Sequence, residues 1–236
     1  MKIDLVIPAS DEAGSIGAVV AGFLALGARL PGGLELGEVV VADNRSTDGT
    51  ARIAEGAGAK VVYEPRIGYG SACLRALAHL RDRAAAPPEI VVFADGDGSN
   101  DPADLARLVS PIARGELDLV IGARGRQGDP GALTFPQRFG NVLASRMLNA
   151  LYGTRSTDLG PYRAIAWPAL ERLGMQDPNY GWTVEMQIKA AKHGLRVGEV
   201  DVQNHARTAG RSKVSGTVRG VFGAGVKIIG TILKYR

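Results

Sequence analysis

The chain has 236 residues, of which 45% are hydrophobic and 22% charged, so it is long and apolar enough for one large globular domain. The formal net charge of +4 is too small to indicate a nucleic-acid partner. Cys73 is the only cysteine, which excludes an internal disulfide, and no uncharged apolar run is long enough to cross a bilayer, so we expect a cytoplasmic protein.

Apolar runs of strand length alternate with segments of helical pattern in the first half of the chain. The strand-like runs cover residues 3–8, 37–43, 59–65, 89–95 and 117–124. The helical segments between and after them cover residues 12–29, 47–56, 70–83 and 101–114. Continuous apolar strands that alternate with helices predict an α/β domain with a mostly parallel central sheet and helices on both of its faces.

The second half begins with a turn-rich loop and a predicted helix over 136–152. A helical pattern around 181–194 and a strand-like run over 195–203 follow. The last segment carries apolar residues on one helical face and Arg219, Lys227 and Lys234 on the other. We therefore divide the chain into a domain over 1–212 and a basic amphipathic C-terminal helix over 213–236. Such a helix suits either a membrane interface or packing against the domain or a second copy of the chain.

Polar clusters follow each of the first four predicted strands. Their sequences are PASDE, DNRS, RIGYG and DGDGSND. Because the carboxyl ends of parallel strands meet at one edge of a sheet, these clusters are expected to converge there, where ligands bind in such folds.

The fourth cluster places Asp95 and Asp97 one residue apart directly after an apolar strand. A solvated turn is one interpretation, and Asp101 has the position of a helix cap. An EF-hand is excluded because Asn100 replaces its glycine and Ala106 its final glutamate. The remaining interpretation is a site for Mg²⁺ or Mn²⁺, which carboxylate oxygens bind while other coordination positions stay open for phosphate.

The order of motifs from Asp4 to Lys213 resembles family 2 glycosyltransferases of the GT-A fold, and in particular the branch of dolichyl- and polyprenyl-phosphate mannose or glucose synthases. The segments that carry the resemblance are VIPASDEAGSI, VVVADNRSTDGT, RIGYGSA, ADGDGSNDP, DLGPYRAI and HARTAGRSKVSGT. The resemblance implies a single GT-A domain that binds a nucleoside-diphosphate sugar together with a divalent metal.

The resemblance also implies roles for individual residues. Asp97 would bind the metal directly, and Asp95 would reach the metal or the ribose. Residues expected to contact the nucleotide sugar are Pro8, Ser10, Glu12, Asp43, Asn44, Ala94, Asp95, Gly96 and Ser99. The alternative for Ser10 and Glu12 is a cap on the first helix.

Three cations and two further acids complete the predicted site. Arg124, Arg207 and Lys213 are candidate phosphate-binding residues, because fixed cations match phosphate oxygens; a solvated basic surface is the alternative. Asp158 and Glu185 are the catalytic candidates. Their alternatives are a turn cap for Asp158 and an ion pair of Glu185 with Lys189, four residues along a helix.

The sequence thus predicts a metal-dependent, inverting enzyme that transfers a hexose from GDP-hexose or UDP-hexose to an acceptor. A polyprenyl phosphate at the cytosolic face of the membrane is the favoured acceptor, and it would need no strong general base. A soluble or saccharide hydroxyl acceptor is the alternative, and Asp158 or Glu185 would then be the base. A nucleotide-sugar-binding protein without turnover remains a third interpretation, and the tail leaves a homo-oligomer open.

Overall fold

The computed structural model describes residues 1–27, 30–83, 86–129, 134–209 and 218–235. The strands in this part are β1 (Lys2–Ala9), β2 (Glu35–Asp43), β3 (Lys60–Tyr63), β4 (Ile90–Phe93), β5 (Leu119–Gly128), β6 (Arg163–Ala166) and β7 (Val197–Asn204). The helices are α1 (Ile16–Gly27), α2 (Thr50–Gly56), α3 (Tyr69–Asp82), α4 (Leu105–Ala113), α5 (Phe135–Tyr152), α6 (Trp167–Leu173), α7 (Trp182–Lys192) and α8 (Val218–Lys234).

The strands form one sheet in the order β3-β2-β1-β4-β6-β5-β7. β6 is antiparallel to both of its neighbours, and the other pairings are parallel. The predicted α/β class and mostly parallel sheet are confirmed. The sequence did not predict β6, because its four residues begin with an arginine and lack the long apolar run that marks the other central strands.

Successive side chains along the strands point to opposite faces of the sheet, and both faces are buried. Leu5 and Ile7 of β1 pack with α1 and α4 in one core, and Val6 packs with α3, α6 and α7 in the other. Trp182 lies edge-on to Phe93, with ring centroids 5.9 Å apart, and belongs to the second core. Both faces are therefore covered by helices, and the edge formed by the strand ends is where polar side chains collect.

The C-terminal helix α8 packs against α5 and α7. Ile232 is completely buried in this contact, whereas the adjacent Leu233 is 52% exposed. The Tyr152 hydroxyl donates a hydrogen bond to the Ile232 carbonyl, and the Tyr235 hydroxyl donates to the Glu185 carboxylate at 2.7 Å. The predicted domain boundary and Lys213 lie outside the described residues.

A search of the described helices for membrane spans finds none with the length and hydropathy needed to cross a bilayer.

The docking of α8 predicts different consequences for two adjacent substitutions. We expect Ile232→Ala to lower the free energy of unfolding by about 2–4 kcal/mol, because it leaves a cavity between α8 and α5. Leu233→Ala, the control on the exposed face, is expected to cost less than about 1 kcal/mol. Urea unfolding followed by circular dichroism measures both, and equally small effects would show that α8 does not pack on the domain in solution.

Candidate active site

A loop of residues 94–101 follows β4 and holds the two predicted metal ligands. The Asp95 amide donates to the Asn100 side-chain oxygen at 2.8 Å, and the Ser99 amide donates to Asp97 Oδ1 at 3.0 Å. Asp101 accepts the Ala103 amide at 2.9 Å and caps the following helical turn, as predicted. The local bonds fix the loop and leave Asp97 Oδ2 facing outward to other segments.

Glycine is required within this loop. Gly98 has φ +81°, and a Cβ there would lie 2.7 Å from the Thr208 Oγ1. Thr208 donates from both its amide and its hydroxyl to the Asp97 carbonyl, each at 3.1 Å. The acidic loop therefore packs directly against the segment that carries Arg207.

Arg207 joins the ends of two loops that lie far apart in the sequence. Its Nη2 lies 3.2 Å from Asp97 Oδ2, and its Nη1 donates to the Glu12 oxygens at 2.9 and 2.7 Å. Although burial alone would lower it, the pKa of Arg207 is raised by Glu12 and Asp97, so the guanidinium stays charged. A predicted metal ligand and a predicted phosphate-binding cation thus contact each other, and Glu12 forms an ion pair with Arg207.

Asp95 is the second acid of the pair and lies deeper than Asp97. Loss of hydration and the nearby Asp97 charge raise the pKa of Asp95 to about 7, while Arg124 and Arg207 act in the opposite direction. Burial and the Asp95 charge also raise the pKa of the Tyr69 hydroxyl, which is buried beside it. Burial is the first cause of both shifts and neighbouring acidic charge the second, and a bound cation would favour the ionised form of Asp95 against both.

Arg124, within β5, forms a largely buried ion pair with Asp158. Its backbone amide and Nε donate to Asp158 Oδ2 at 2.8 and 3.0 Å, and Nη2 donates to Oδ1 at 2.7 Å. Burial would raise the pKa of Asp158, but Arg124 holds it below the ordinary value. Because both carboxylate oxygens accept hydrogen bonds, Asp158 serves to position Arg124 next to Asp95.

Asp43 is the last residue of β2, and Asn44 follows it. The Asn44 amide nitrogen donates to the Glu64 and Arg66 carbonyls at 3.0 and 2.7 Å, and its oxygen accepts the Gly68 amide at 2.8 Å. Its side chain is thus occupied in holding the loop after β3. Asp43 is buried beside it, and one of its carboxylate oxygens accepts the amide of Ser46 at 3.2 Å.

The loop after β1 is fastened to the loop after β2 by acids to which the sequence analysis gave no role. Asp11 accepts the Thr47 amide at 2.7 Å, and Asp48 accepts the Ala13 amide at 3.0 Å. The Glu12 amide donates to the Thr50 hydroxyl at 2.8 Å. The spacing of polar residues in DNRSTDGT was the signal that could have found these contacts, since the segment supplies the side chains of Ser46, Asp48 and Thr50 to the neighbouring loop.

Glu185 is buried behind a loop that contacts the start of α3. Its carboxylate accepts the Gln176 and Asp177 amides at 3.1 and 2.7 Å, and Lys189 lies 2.7 Å away in the i, i+4 pair considered above. Burial would raise the pKa of Glu185, but these partners and Tyr235 lower it. Glu185 thereby fixes the loop of residues 176–178.

That loop leaves no space for a side chain at the start of α3. A Cβ on Gly70 would lie 1.9 Å from the Asp177 carbonyl oxygen, and the Ser71 amide donates to the Pro178 carbonyl at 2.9 Å. The loop after β3, with Gly68 and Tyr69, is held against 176–178 in this way. Glu185 thus supports the site from behind it.

Arg163 is a further buried cation to which the sequence analysis gave no role, although its motif was recognised. Its guanidinium donates to the carbonyls of Leu159, Gly160 and Thr183. Burial lowers the pKa of Arg163 to about 10. By holding the two carbonyls that follow Asp158, Arg163 fixes the segment that orients the Arg124 ion pair.

The structure brings most of the predicted residues to one edge of the sheet. These are Pro8, Ser10, Glu12, Asp43, Asn44, Ala94, Asp95, Gly96, Asp97, Ser99, Arg124, Asp158 and Arg207. Within the described ranges no group of three histidine, cysteine or acidic side chains is arranged to hold a metal. A metal bound by Asp95 and Asp97 would therefore keep positions for water and phosphate oxygens, as Mg²⁺ usually does.

Comparison with known proteins gives matches along the chain. Residues 4–174 match the family model described as Glycosyl transferase family 2. An uncharacterized glycosyltransferase of Mycobacterium tuberculosis is 39% identical over 220 residues, which cover 92% of each chain. The undecaprenyl-phosphate mannosyltransferase of Micrococcus luteus is 28% identical over 93% of this chain and 90% of its own. The dodecaprenyl-phosphate galacturonate synthase of Rhizobium johnstonii is 28% identical over 90% of this chain and 62% of its own.

Solved structures show the same architecture. Glucosyl-3-phosphoglycerate synthase from Mycobacterium tuberculosis, in complex with Mn²⁺, uridine diphosphate and phosphoglyceric acid, superimposes with a TM-score of 0.77 at 25% identity. The alignment covers 99% of this chain and 78% of that one. A second structure of that enzyme contains Mg²⁺ and uridine diphosphate, with a TM-score of 0.73.

Two ion pairs with the same hydrogen-bond pattern allow a test of the buried one. Asp118 accepts the backbone amide, Nε and Nη2 of Arg196, as Asp158 does from Arg124, but Asp118 is 25% exposed and Asp158 only 4%. We expect Asp158→Asn to lower the free energy of unfolding by about 3 kcal/mol at pH 7, because Arg124 stays buried without its partner. Asp118→Asn should cost less than about 1 kcal/mol.

The pH dependence of the Asp158→Asn effect follows from the lowered pKa of Asp158. Its stabilisation is complete above the ordinary carboxyl pKa of about 3.9 and is lost as the pH falls towards the folded-state value. The difference between parent and variant should therefore be constant from about pH 7 to 5 and shrink below about 4. Equal losses in the two variants at pH 7, measured by urea unfolding, would show that burial does not distinguish the pairs.

Proposed function

The chain belongs to glycosyl transferase family 2, and from this premise we propose that it transfers a hexose from a UDP-sugar to a polyprenyl phosphate, with Mg²⁺ or Mn²⁺ and with inversion at the anomeric carbon. The observation that carries the proposal is the convergence of Asp95, Asp97, Arg124 and Arg207 at the edge where β1, β2 and β4 end. Paired acids for a metal, beside fixed cations, suit a diphosphate.

UDP is favoured as the nucleotide over GDP. The glucosyl-3-phosphoglycerate synthase structures hold uridine diphosphate with Mn²⁺ or Mg²⁺ on the fold that this chain shares. The base and ribose would lie over the loops after β1, β2 and β3, where Ser10 and Asp43 are placed. Asn44 holds one of these loops through backbone contacts and shapes the pocket.

The charged residues of the site suit the departure of a nucleoside diphosphate. Asp97 and Asp95 would hold the metal, which when bound neutralises negative charge on the leaving diphosphate. Arg124, fixed by three hydrogen bonds to Asp158, presents a cation beside Asp95 that needs no reorganisation during the reaction. Arg207 and Lys213 would supply further positive charge.

The engagement of Asp158 and Glu185 favours a phosphate acceptor over a hydroxyl. A hydroxyl nucleophile needs a general base with a pKa near neutrality, whereas a phosphate monoester is already an anion at pH 7. Both carboxylates are held by basic partners that lower their pKa values despite burial. The relatives from Micrococcus luteus and Rhizobium johnstonii, named for undecaprenyl and dodecaprenyl phosphate, support a polyprenyl carrier of that phosphate.

An exposed apolar face on α5 supports the proposal of a lipid acceptor. Phe135 and Phe139 are 81% and 62% exposed, and Val142 and Leu143 continue the same exposed face. Residues 135–152 contain Arg138 and Arg146 but no acidic residue. An exposed apolar face with adjacent cations suits the surface of an anionic bilayer, and we propose that the protein works there as a peripheral protein.

A small phosphorylated acceptor is the second candidate. The structures of glucosyl-3-phosphoglycerate synthase that contain phosphoglyceric acid share the fold over 99% of this chain. Such an acceptor is also an anion at pH 7, so it agrees equally with the paired state of Asp158 and Glu185. The exposed face of α5 is the feature that favours the lipid.

A transfer assay separates the two candidates. The protein is incubated with radiolabelled UDP-hexoses, Mn²⁺ and either undecaprenyl phosphate or 3-phosphoglycerate, and the label is partitioned between butanol and water. Label in the butanol phase only when the lipid is present supports the proposal. A labelled product in the water phase that anion-exchange chromatography separates from UDP-hexose, and that forms only with phosphoglycerate, would replace it with the second candidate. Donor binding without transfer to either acceptor would indicate a binding protein.

Within the same assay, Asp97→Asn is expected to reduce transfer roughly 100- to 1000-fold, because loss of a metal ligand removes several kcal/mol of charge stabilisation. Asp101→Asn is the matched control, since asparagine caps a helical turn as well as aspartate and should retain the parent activity. Circular dichroism checks that both variants fold. Parental activity of the folded Asp97→Asn protein would refute the metal assignment.

Vesicle binding tests the surface of α5. Phe139→Ser removes a side chain expected to enter the lipid and should weaken binding to vesicles containing phosphatidylglycerol roughly tenfold. Tyr63→Ser removes a similarly exposed aromatic ring, 56% against 62%, from the β3 edge and should leave binding unchanged. Co-sedimentation measures both. Equal binding by the two variants would exclude α5 as the membrane contact, whatever the outcome of the transfer assay.

A further inference from the structure

We propose that Arg207 is the counter-ion of the empty metal site. Its guanidinium pairs with Asp97 and Glu12 until a divalent ion displaces it from Asp97. The displaced guanidinium then binds the phosphates of the donor. The inference rests on the proposed function for the metal and the donor. It predicts something that a phosphate-binding role alone does not: Arg207 lowers the affinity of the empty site for metal.

The hydrogen bonds of Asp97 show which position Arg207 takes. Oδ1 accepts the Ser99 amide at 3.0 Å, so Oδ2 is the oxygen turned away from its own loop. Arg207 Nη2 lies 3.2 Å from this Oδ2. A metal that uses Oδ2 must therefore replace the guanidinium as its partner.

Charge balance explains why a cation occupies this position. Glu12 and Asp97 both lie within ion-pair distance of the Arg207 guanidinium, at 2.7 and 3.2 Å, and Asp95 is two residues from Asp97 on the same loop. The charge of Arg124 is balanced by its ion pair with Asp158, so it neutralises Glu12, Asp95 and Asp97 less. Arg207 spans Glu12 and Asp97 and neutralises the part of the site that a divalent ion would neutralise more fully.

The exchange needs only a side-chain movement. The backbone around Arg207 is held to the acidic loop, because the His205 amide donates to the Ser99 carbonyl at 2.9 Å and Thr208 donates twice to the Asp97 carbonyl at 3.1 Å. The guanidinium can leave Asp97 while these bonds persist. Phosphate oxygens that attract Arg207 would then free Asp97, so nucleotide and metal should each favour binding of the other.

Titration with Mn²⁺ alone, followed by electron paramagnetic resonance without nucleotide, tests the inference. Arg207→Gln should bind Mn²⁺ about tenfold more tightly than the parent, because a competing cation has been removed. Arg196→Gln is the control for net charge, since it removes an exposed arginine paired with Asp118, and should match the parent within about twofold. Unchanged or weaker Mn²⁺ binding by Arg207→Gln would overturn the inference.

Two further variants separate this inference from the proposed function. Arg207→Lys keeps the charge but cannot span both acids with two nitrogens, so its Mn²⁺ affinity should fall between those of the parent and Arg207→Gln, and an affinity below the parent would count against the inference. Asp97→Asn should lose Mn²⁺ binding. If it binds Mn²⁺ as the parent does, the metal site itself is refuted; if only Arg207→Gln behaves as the parent, the metal site stands and the counter-ion does not.

The change in Mn²⁺ affinity on addition of uridine diphosphate is a second test of the role of Arg207. In the parent, uridine diphosphate should raise the Mn²⁺ affinity both by supplying phosphate oxygens and by drawing Arg207 away from Asp97. In Arg207→Gln only the first contribution remains, so the fold increase should be smaller. An equal or larger increase in the variant would show that Arg207 does not connect the two ligands.

Discussion

Repulsion among carboxylates that converge at one edge of the sheet is the constraint on which the site depends. Parallel pairing of β1 with β2 and β4 brings their carboxyl ends together, and with them Glu12, Asp95 and Asp97. Acids at such close range are stable only with compensating positive charge. Arg207 supplies it from the segment after β7, and Arg124 supplies it from β5, so the second half of the chain completes a site that the first half begins.

The convergence of the acidic loop and the candidate cations could be predicted from the sequence, whereas the ion pairs that join them and the strand β6 could not. Apolar runs predict β1 to β5, and the parallel order then places the acidic loop at the functional edge. The ion pair of Glu12 with Arg207 could not be predicted in this way, because the two residues lie 195 positions apart and no local sequence pattern connects them. β6 was not predicted for a different reason. Its four residues run antiparallel between two other strands, and only the pairing with those strands defines it as a strand.

The acids Asp158 and Glu185, which lie outside the loop of residues 94–101, hold neighbouring parts of the site in place. Asp158 and Glu185 were the catalytic candidates because both lie in unusual polar settings, yet each carboxylate accepts hydrogen bonds from neighbouring basic and backbone groups. Burial makes these contacts strong, and the partners, which lower both pKa values despite that burial, make the acids unsuitable as proton acceptors near neutral pH. A sequence shows that an acid is present, but whether its lone pairs are free depends on partners brought by the fold.

The same reasoning connects the chemistry to the surface. Because Asp158 and Glu185 are both engaged by their partners, we favour a nucleophile that is already charged, and a phosphate on a long isoprenoid is accessible only where its tail can remain in lipid. The helix α5 is the element that follows β5 in the chain, and β5 contains Arg124. α5 exposes Phe135 and Phe139, and residues 135–152 include two arginines but no acidic residue. Arg124, the proposed diphosphate-binding cation, and the exposed apolar face of α5 therefore lie on successive elements of the chain, an arrangement that agrees with the proposal of an acceptor drawn from the membrane.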